Sequence, residues 1–199
     1  MIRNLIEKTR TVRRFRESER LSEDQLLKLI DLARLGGSAR NAQSLKYMVI
    51  TAPRLNDKVC NLLGWAGYLK DWPGPEKGER PSAYVICLLD RKRSKGPEKE
   101  AHFDLGIATQ NLLLGAAEMG IMGCRIASFS RDISKLLYLD DQYKVLLVLA
   151  LGFPAEQVVL EKVGDDGDLK YWRDNEGVHH VPKREVEDIL LPVRVPDME

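Results

Sequence analysis

Cysteine is scarce in this sequence: Cys60, Cys87 and Cys124 are the only three among 199 residues. They share no Cys-x-x-Cys or Cys/His spacing, which argues against a disulfide framework and against a structural zinc site. A reducing cytoplasm is the expected location, with no metal. An excess of charge of one sign is also missing. Lys and Arg number 31 against 30 Asp and Glu, a net charge of +1, so no overall field gathers nucleic acid or an anionic membrane. No long apolar run is present either. The most apolar segment, 105–122, is broken by Gln110, Asn111 and Glu118 and follows His102 and Asp104, each costly at bilayer depth. It reads as a buried core helix, and neither a membrane nor a nucleic-acid partner is expected. Residues 1–10 carry Arg3, Glu7 and Lys8 and so lack the apolar stretch of a signal peptide. The glycine-rich dinucleotide turn, the P-loop, His-Glu-x-x-His, Gly-x-Ser-x-Gly and the spaced acidic calcium loop are absent as well.

What is present suits one packed core. Apolar residues make up 44% and charged residues 31%, and no repeat, low-complexity tract or long linker divides the chain, so 1–199 reads as a single domain. Ser22 and Gln25 form a capping-box pair ahead of Leu26, Ile30 and Ala33 at helical spacing, and Gly36-Gly37 closes that helix. Strands are expected at 46–51, 83–89, 124–127 and 143–151, and helices at 55–65, 98–119 and from Ser130 to 137. Beyond Pro154 the chain turns polar, with a last short helix expected at 183–190 behind Pro182. Pro192, Pro196 and the alternating Val193 and Val195 make 191–199 an extended tail, for which a partner subunit is the simplest support.

Three segments carry candidate chemistry. Arg10-Thr11-Val12-Arg13-Arg14-Phe15 would, if extended, place Arg10, Val12 and Arg14 on one side and Thr11, Arg13 and Phe15 on the other, so that guanidinium groups could grip an elongated anion at separate points. A solvated basic segment is the plainer reading of those residues alone. Ser38-Ala39-Arg40-Asn41-Ala42-Gln43 offers a hydroxyl, a guanidinium and two amides in six residues, although Ser and Asn also favour ordinary turns. The Gly- and Pro-rich segment 67–81, bearing Tyr68 and Trp72, reads as an exposed, mobile loop. The basic run 91–95 and the acidic run 165–168 read as turns. His179-His180 reads as a surface pair, since neighbours on a strand face opposite ways and cannot readily share a metal.

Taken together, the segments resemble the flavin-dependent nitroreductase family from about residue 3 to residue 190. The stretch 10–15 is similar to its Arg-Arg-Ser-x-Arg-x-Phe motif, with Thr9 where the first Arg is common and Thr11 in place of Ser. The loop 38–43 resembles Pro-Ser-x-x-Asn-x-Gln-Pro-Trp, with Gly37, Ser44 and Leu45 in place of Pro, Pro and Trp. Residues 104–112 look like the family's central helix and 120–125 like its Gly-Leu-Gly-x-Cys-Trp turn, with Arg125 where Trp is frequent. Gly152-Phe153-Pro154-Ala155 matches Gly-Tyr-Pro-Ala, and Pro182-Lys183-Arg184 is similar to the C-terminal basic pair.

The resemblance implies an α+β fold, a mixed central sheet wrapped by helices, in a homodimer whose C-terminal tail extends onto the partner. It implies a noncovalent FMN in each of two equivalent sites built from both chains. Arg10, Lys183 and Arg184 would hold the phosphate or ribityl end, and Thr11 and Arg13 the ribityl chain and pyrimidine edge. Ser38, Asn41 and Gln43 would meet the ring, and the backbone at Ala127 and Ser128 would face N5, with Arg125 also in the cofactor site. Arg40, Tyr68 and Trp72 would meet the acceptor. No side-chain catalyst is required. The implied activity passes electrons from NADH or NADPH through FMN to nitroaromatic, quinone or similar electron-poor small molecules by a ping-pong scheme. A same-fold flavin enzyme of other chemistry, such as flavin fragmentation or reductive dehalogenation, and an FMN-binding sensor or storage protein without turnover, stay open at this point.

Overall fold

The computed structural model describes residues 2–193, so the part of the expected tail from 194 to 199 lies outside the described residues. The chain groups into two compact units, Met1–Glu156 and Gln157–Glu199. The first is built on a four-stranded sheet of β1 (Leu45–Ile50), β2 (Ala83–Asp90), β3 (Met122–Ile126) and β4 (Tyr143–Gly152), in the order β1-β2-β4-β3. All three neighbouring pairs are antiparallel, which corrects the expected mixed sheet. The one parallel pairing described in this unit is an isolated bridge from Thr11 to Gly123. β2 is buried along its whole length. A strand covered on both faces reads as an unbroken apolar run whichever way its neighbours point, so the sequence pattern could not separate the two arrangements.

Helix α2 (Glu23–Arg34) starts as its sequence dictates. Ser22 Oγ accepts from the Gln25 N–H at 3.2 Å, while Gln25 Oε1 accepts from the Ser22 N–H at 2.9 Å, satisfying two donors that a helix start leaves open. Leu26, Leu29 and Ala33 are buried from it. They meet Leu105, Ala108, Leu112 and Ala116 of α4 (Glu98–Glu118) in one apolar cluster that also takes in Val85, Leu149 and Leu151 of the sheet. Helix α3 (Pro53–Cys60) is shorter than the expected 55–65. It stops because the next residues pair elsewhere: the Ser130 N–H donates to the Leu62 carbonyl and the Gly64 N–H to the Ser128 carbonyl, both at 2.8 Å. Ser130 Oγ accepts from the Asp132 N–H at 3.2 Å ahead of α5 (Asp132–Leu136). A helix the sequence did not announce, α1 (Ile2–Lys8), buries none of its residues, so it carries no inward stripe to be read.

The second unit holds β5 (Val158–Lys162), β6 (Trp172–Arg173) and β7 (His179–Lys183) in the order β5-β7-β6, with β5 and β7 parallel. The helix expected at 183–190 does not form. Pro182 and Lys183 belong to β7, and the chain beyond makes turns, with Asp188 Oδ2 accepting from the Glu185 N–H at 3.2 Å. A carboxylate that captures a local N–H in this way competes with helix. His179 is 1% exposed rather than one of a surface pair. Its neighbour His180 stacks on Trp172, ring centroids 4.0 Å apart and 11° from parallel. No described helix is long and apolar enough to cross a membrane.

Candidate functional site

The arginine stretch owes its path to two apolar anchors. Val12 and Phe15 are 3% and 0% exposed, and the backbone between them is stitched to the ends of β3 and β4. Val12 N–H donates to the Gly123 carbonyl at 3.1 Å, Ala155 N–H to the Arg14 carbonyl at 2.8 Å, and Arg16 N–H to the Phe153 carbonyl at 2.9 Å. Gly123 must be small. A Cβ there would lie 2.8 Å from the Ala150 carbonyl and 2.7 Å from Leu151 Cδ2. Strict alternation of sides does not hold, because Val12 and Arg13 are both buried. The cause is Glu156, whose Oε1 accepts from the backbone N–H groups of both Arg13 (2.5 Å) and Arg14 (3.2 Å), and two consecutive amides aimed at one oxygen bend the chain.

The guanidinium groups differ in what they already hold. Arg14 is committed to Glu79, with Nε donating to Oε2 at 2.7 Å, and that hydrogen bond raises its pKa. Arg10 donates through Nη2 to the Ile6 carbonyl at 2.6 Å, while its buried Nε meets no hydrogen-bond partner among the described residues; burial lowers its pKa. Arg13 and Glu156 both act on Cys124. Burial pushes that thiol up to about 11, with the Arg13 charge opposing and Glu156 reinforcing. Arg125 of β3 is held by two neutral groups, Thr109 Oγ1 at 2.9 Å and Gln110 Oε1 at 2.8 Å. Burial lowers its pKa too. Thr11, Ala127 and Ser128 are exposed beside this strand.

The loop 38–43 is organised from below by Asp104 of α4, 5% exposed. Its carboxylate accepts from Ser38 Oγ at 2.7 Å and the Ala39 N–H at 2.9 Å, Ser38 Oγ in turn accepts from the Gln43 N–H at 3.0 Å, and Gln43 Nε2 donates to Asn41 Oδ1 at 3.0 Å. Five described non-glycine residues have positive φ, and Arg40 (54°), Asn41 (49°) and Gln43 (48°) are three of them. Side chains resist that region, and strain of this kind collects at binding and catalytic loops. Arg40 pairs with Glu100 at 2.6 Å. A cavity of about 290 Å³ opens beside the loop, lined in part by Ser38, Gln43, Lys46, Tyr47 and Arg93. Burial raises the Tyr47 pKa. The role of Asp104 escaped the sequence, where it looked like one more residue of the central helix; its place 66 positions after Ser38 leaves no local signal.

The structure therefore gathers the expected residues in separate groups. Thr11, Arg13 and Arg125 lie at β3, whereas Ser38, Asn41 and Gln43 lie in the loop that leads into β1, at the opposite edge of the sheet. Three strand spacings, about 14 Å, separate those edges. Lys183 ends β7 in the second unit, and the Arg184 guanidinium donates to the Asp188 carbonyl there. In the loop 67–81, Tyr68 is 58% exposed and Trp72 meets Trp65 edge-on, centroids 6.5 Å apart. That loop is not loose throughout. Gly74 and Pro75 are buried, and Glu17 receives the Gly78 N–H.

The sequence profile of the nitroreductase family matches residues 6–153. The chain belongs to the nitroreductase family. Among its relatives, one from Archaeoglobus fulgidus, named “Putative NADH dehydrogenase/NAD(P)H nitroreductase”, is 25% identical over 154 residues, covering 75% of this chain and 83% of the relative. A protein of the same name from Methanothermobacter thermautotrophicus is 24% identical over 156 residues, covering 76% of each chain. The fold is shared with solved members. The nitroreductase family protein of Streptococcus pneumoniae superposes with a TM-score of 0.70 at 16% identity, covering 97% of this chain and all of that one. A “putative nitroreductase in complex with fmn” from Desulfovibrio desulfuricans gives 0.68 at 20% identity, covering 98% of both. As a nitroreductase family member this chain is an oxidoreductase.

Proposed function

We propose that this nitroreductase family member is an FMN-dependent enzyme that takes electrons from NADH or NADPH and passes them to nitroaromatic, quinone or similarly electron-poor small molecules. It works as a homodimer with two equivalent sites. The observation that carries this reading is the placement of its two donor-rich clusters at opposite edges of one sheet. Each cluster is half of a lining, and a twofold arrangement brings one edge of each copy to the other. The donor set suits FMN. The buried, partnerless Nε of Arg10 and the carboxylate-free Arg125 favour an anion with polar edges, and the exposed amides of Asn41 and Gln43 suit a heteroaromatic ring.

Within that site Arg10 would hold the phosphate or ribityl end, and Thr11, Arg13 and Arg125 the ribityl chain and the ring edge. Ser38, Asn41 and Gln43 would come from the partner copy to meet the ring, and the backbone at Ala127 and Ser128 would line its reactive side. When bound, FMN supplies two-electron chemistry to two substrates in turn, which gives ping-pong kinetics. The Arg13 guanidinium, placed at the pyrimidine edge, would favour an anionic form of the ring. Arg40, Tyr68 and Trp72 border the acceptor. The copies meet along the exposed face of α4, where Phe103 (67% exposed) and Ile107 (45%) stand one turn apart, and the exposed Leu191 and Val193 lie against the partner. The whole chain serves as one FMN-binding domain, and three buried free thiols fit a cytoplasmic location. Purified protein should be yellow, release FMN on denaturation, oxidise a nicotinamide only when an acceptor is added, and give parallel double-reciprocal plots. Colourless protein that added FMN does not reconstitute would overturn the proposal.

A further inference from the structure

We infer that Glu156 is a positioning residue: through the backbone N–H groups of Arg13 and Arg14 it sets the conformation in which the arginine stretch meets FMN. The inference rests on the flavin reading above, but its geometry does not. Other bonds hold this stretch through the backbone, at Val12, Arg14, Phe15 and Arg16, to the carbonyls or amides of Gly123, Ala155, Glu79 and Phe153. Glu156 is the side chain that receives the Arg13 and Arg14 amides themselves, at 2.5 and 3.2 Å.

The consequence is local and directional. Val12 and Phe15 fix the two ends of the stretch by burial, and hydrogen bonding commits Arg14 to Glu79. What is left to decide is the rotation of the peptide planes between Val12 and Arg14. Both planes turn their N–H toward Glu156 Oε1, which fixes where Arg13 projects. Without an acceptor, the two amides would have to find water or rotate, and the Arg13 side chain would move with them. Glu156 also belongs to the polar group around Cys124, where its charge and that of Arg13 act in opposite senses on the thiol. It lies directly after the Gly152–Ala155 segment that resembles a family motif. That segment thereby acquires a physical role, since it delivers a carboxylate to the arginine stretch from the end of β4.

Three variants test this. Glu156→Gln keeps an acceptor oxygen at the same reach, Glu156→Asp shortens the reach by one methylene, and Glu156→Ala removes the acceptor. The first readout is amide hydrogen exchange at Arg13 and Arg14 in flavin-free protein. The expected result is a loss of about tenfold or more in Glu156→Ala, the size of one charge-assisted hydrogen bond, and a clearly smaller loss in Glu156→Gln, which keeps the acceptor oxygen without its charge. Glu156→Asp should fall between. The second readout is FMN affinity by fluorescence quenching, expected to weaken about tenfold in Glu156→Ala and to be rescued in Glu156→Gln. Unchanged protection in Glu156→Ala overturns the inference. So does unchanged protection in Glu156→Asp, should the alanine variant fail to fold. So too does a folded Glu156→Ala that binds FMN as wild type does. If wild type itself binds no FMN, the proposed function falls, while the exchange data still judge the clamp.

Discussion

Replacing Asp104 by Ala should do more damage than its single carboxylate suggests. The side chain is 5% exposed and accepts from Ser38 Oγ and the Ala39 N–H, so truncation leaves a hydroxyl and an amide without their acceptor. Charge-assisted bonds contribute about 1.5–3 kcal/mol each, and release of the carboxylate from its own burial offsets part of the loss. A net destabilisation of about 2–4 kcal/mol follows. The damage should also be localised. Arg40, Asn41 and Gln43 sit at positive φ at a cost of about 1 kcal/mol each, so the loop should relax once its anchor is gone. Asp104→Asn keeps one acceptor oxygen and should cost about half as much. Urea denaturation followed by circular dichroism gives the stability change, and amide exchange across 38–43 gives its location. A loss below about 0.5 kcal/mol with the loop amides still protected would refute the reasoning.

Two further outcomes are expected. Ile107→Asp, alone or with Phe103→Asp, places charge on an exposed apolar face of α4, so sedimentation should show the proposed dimer giving way to a monomer of nearly unchanged melting temperature, and the proposed FMN binding should be lost. His180 lies between Asp174 and Glu161, 3.2 and 3.0 Å away, and the Asp174 hydrogen bond first, then Glu161, raises its pKa. A raised histidine pKa contributes stability that is complete below its unfolded value, about 6.5, and is lost as pH rises through the folded value. Protection of the β5–β7–β6 amides should therefore fall as pH rises above about 6.5, and His180→Gln should flatten that dependence. An NMR titration that finds His180 at or below the unperturbed value would contradict this.

How much of the molecule is legible in its sequence varies with the range of the interaction. The capping box at Ser22 and Gln25, the buried strand at 83–90 and the long helix 98–118 announce themselves, because caps and apolar periodicity are written in neighbouring residues. The candidate groups at 10–15 and 38–43 are legible as residue types and spacing. Their placement at opposite sheet edges is not, since that depends on strand order. Asp104 and Glu156 are invisible as supports: they lie 66 and 143 positions from Ser38 and Arg13, the groups they bind, and nothing local marks a buried carboxylate for such a role. The failed helix at 183–190 is the converse case. Helical-looking composition there lost to strand pairing with β5 as far as Lys183 and, beyond it, to turns such as the one in which Asp188 takes the Glu185 N–H.

The central claim, that each flavin site is completed by two copies of the chain, is tested most directly by mixing two deficient variants. One copy carries Arg13→Gln in the arginine stretch and the other carries Asn41→Ala with Gln43→Ala in the 38–43 loop, each bearing its own affinity tag so that the mixed dimer can be isolated. Each variant alone should bind FMN poorly. The mixed dimer should regain one site lined by an intact stretch from one copy and an intact loop from the other, and hold one FMN per dimer at wild-type affinity. A mixed dimer that binds no FMN at that affinity would mean that each site lies within a single chain, and would contradict the account.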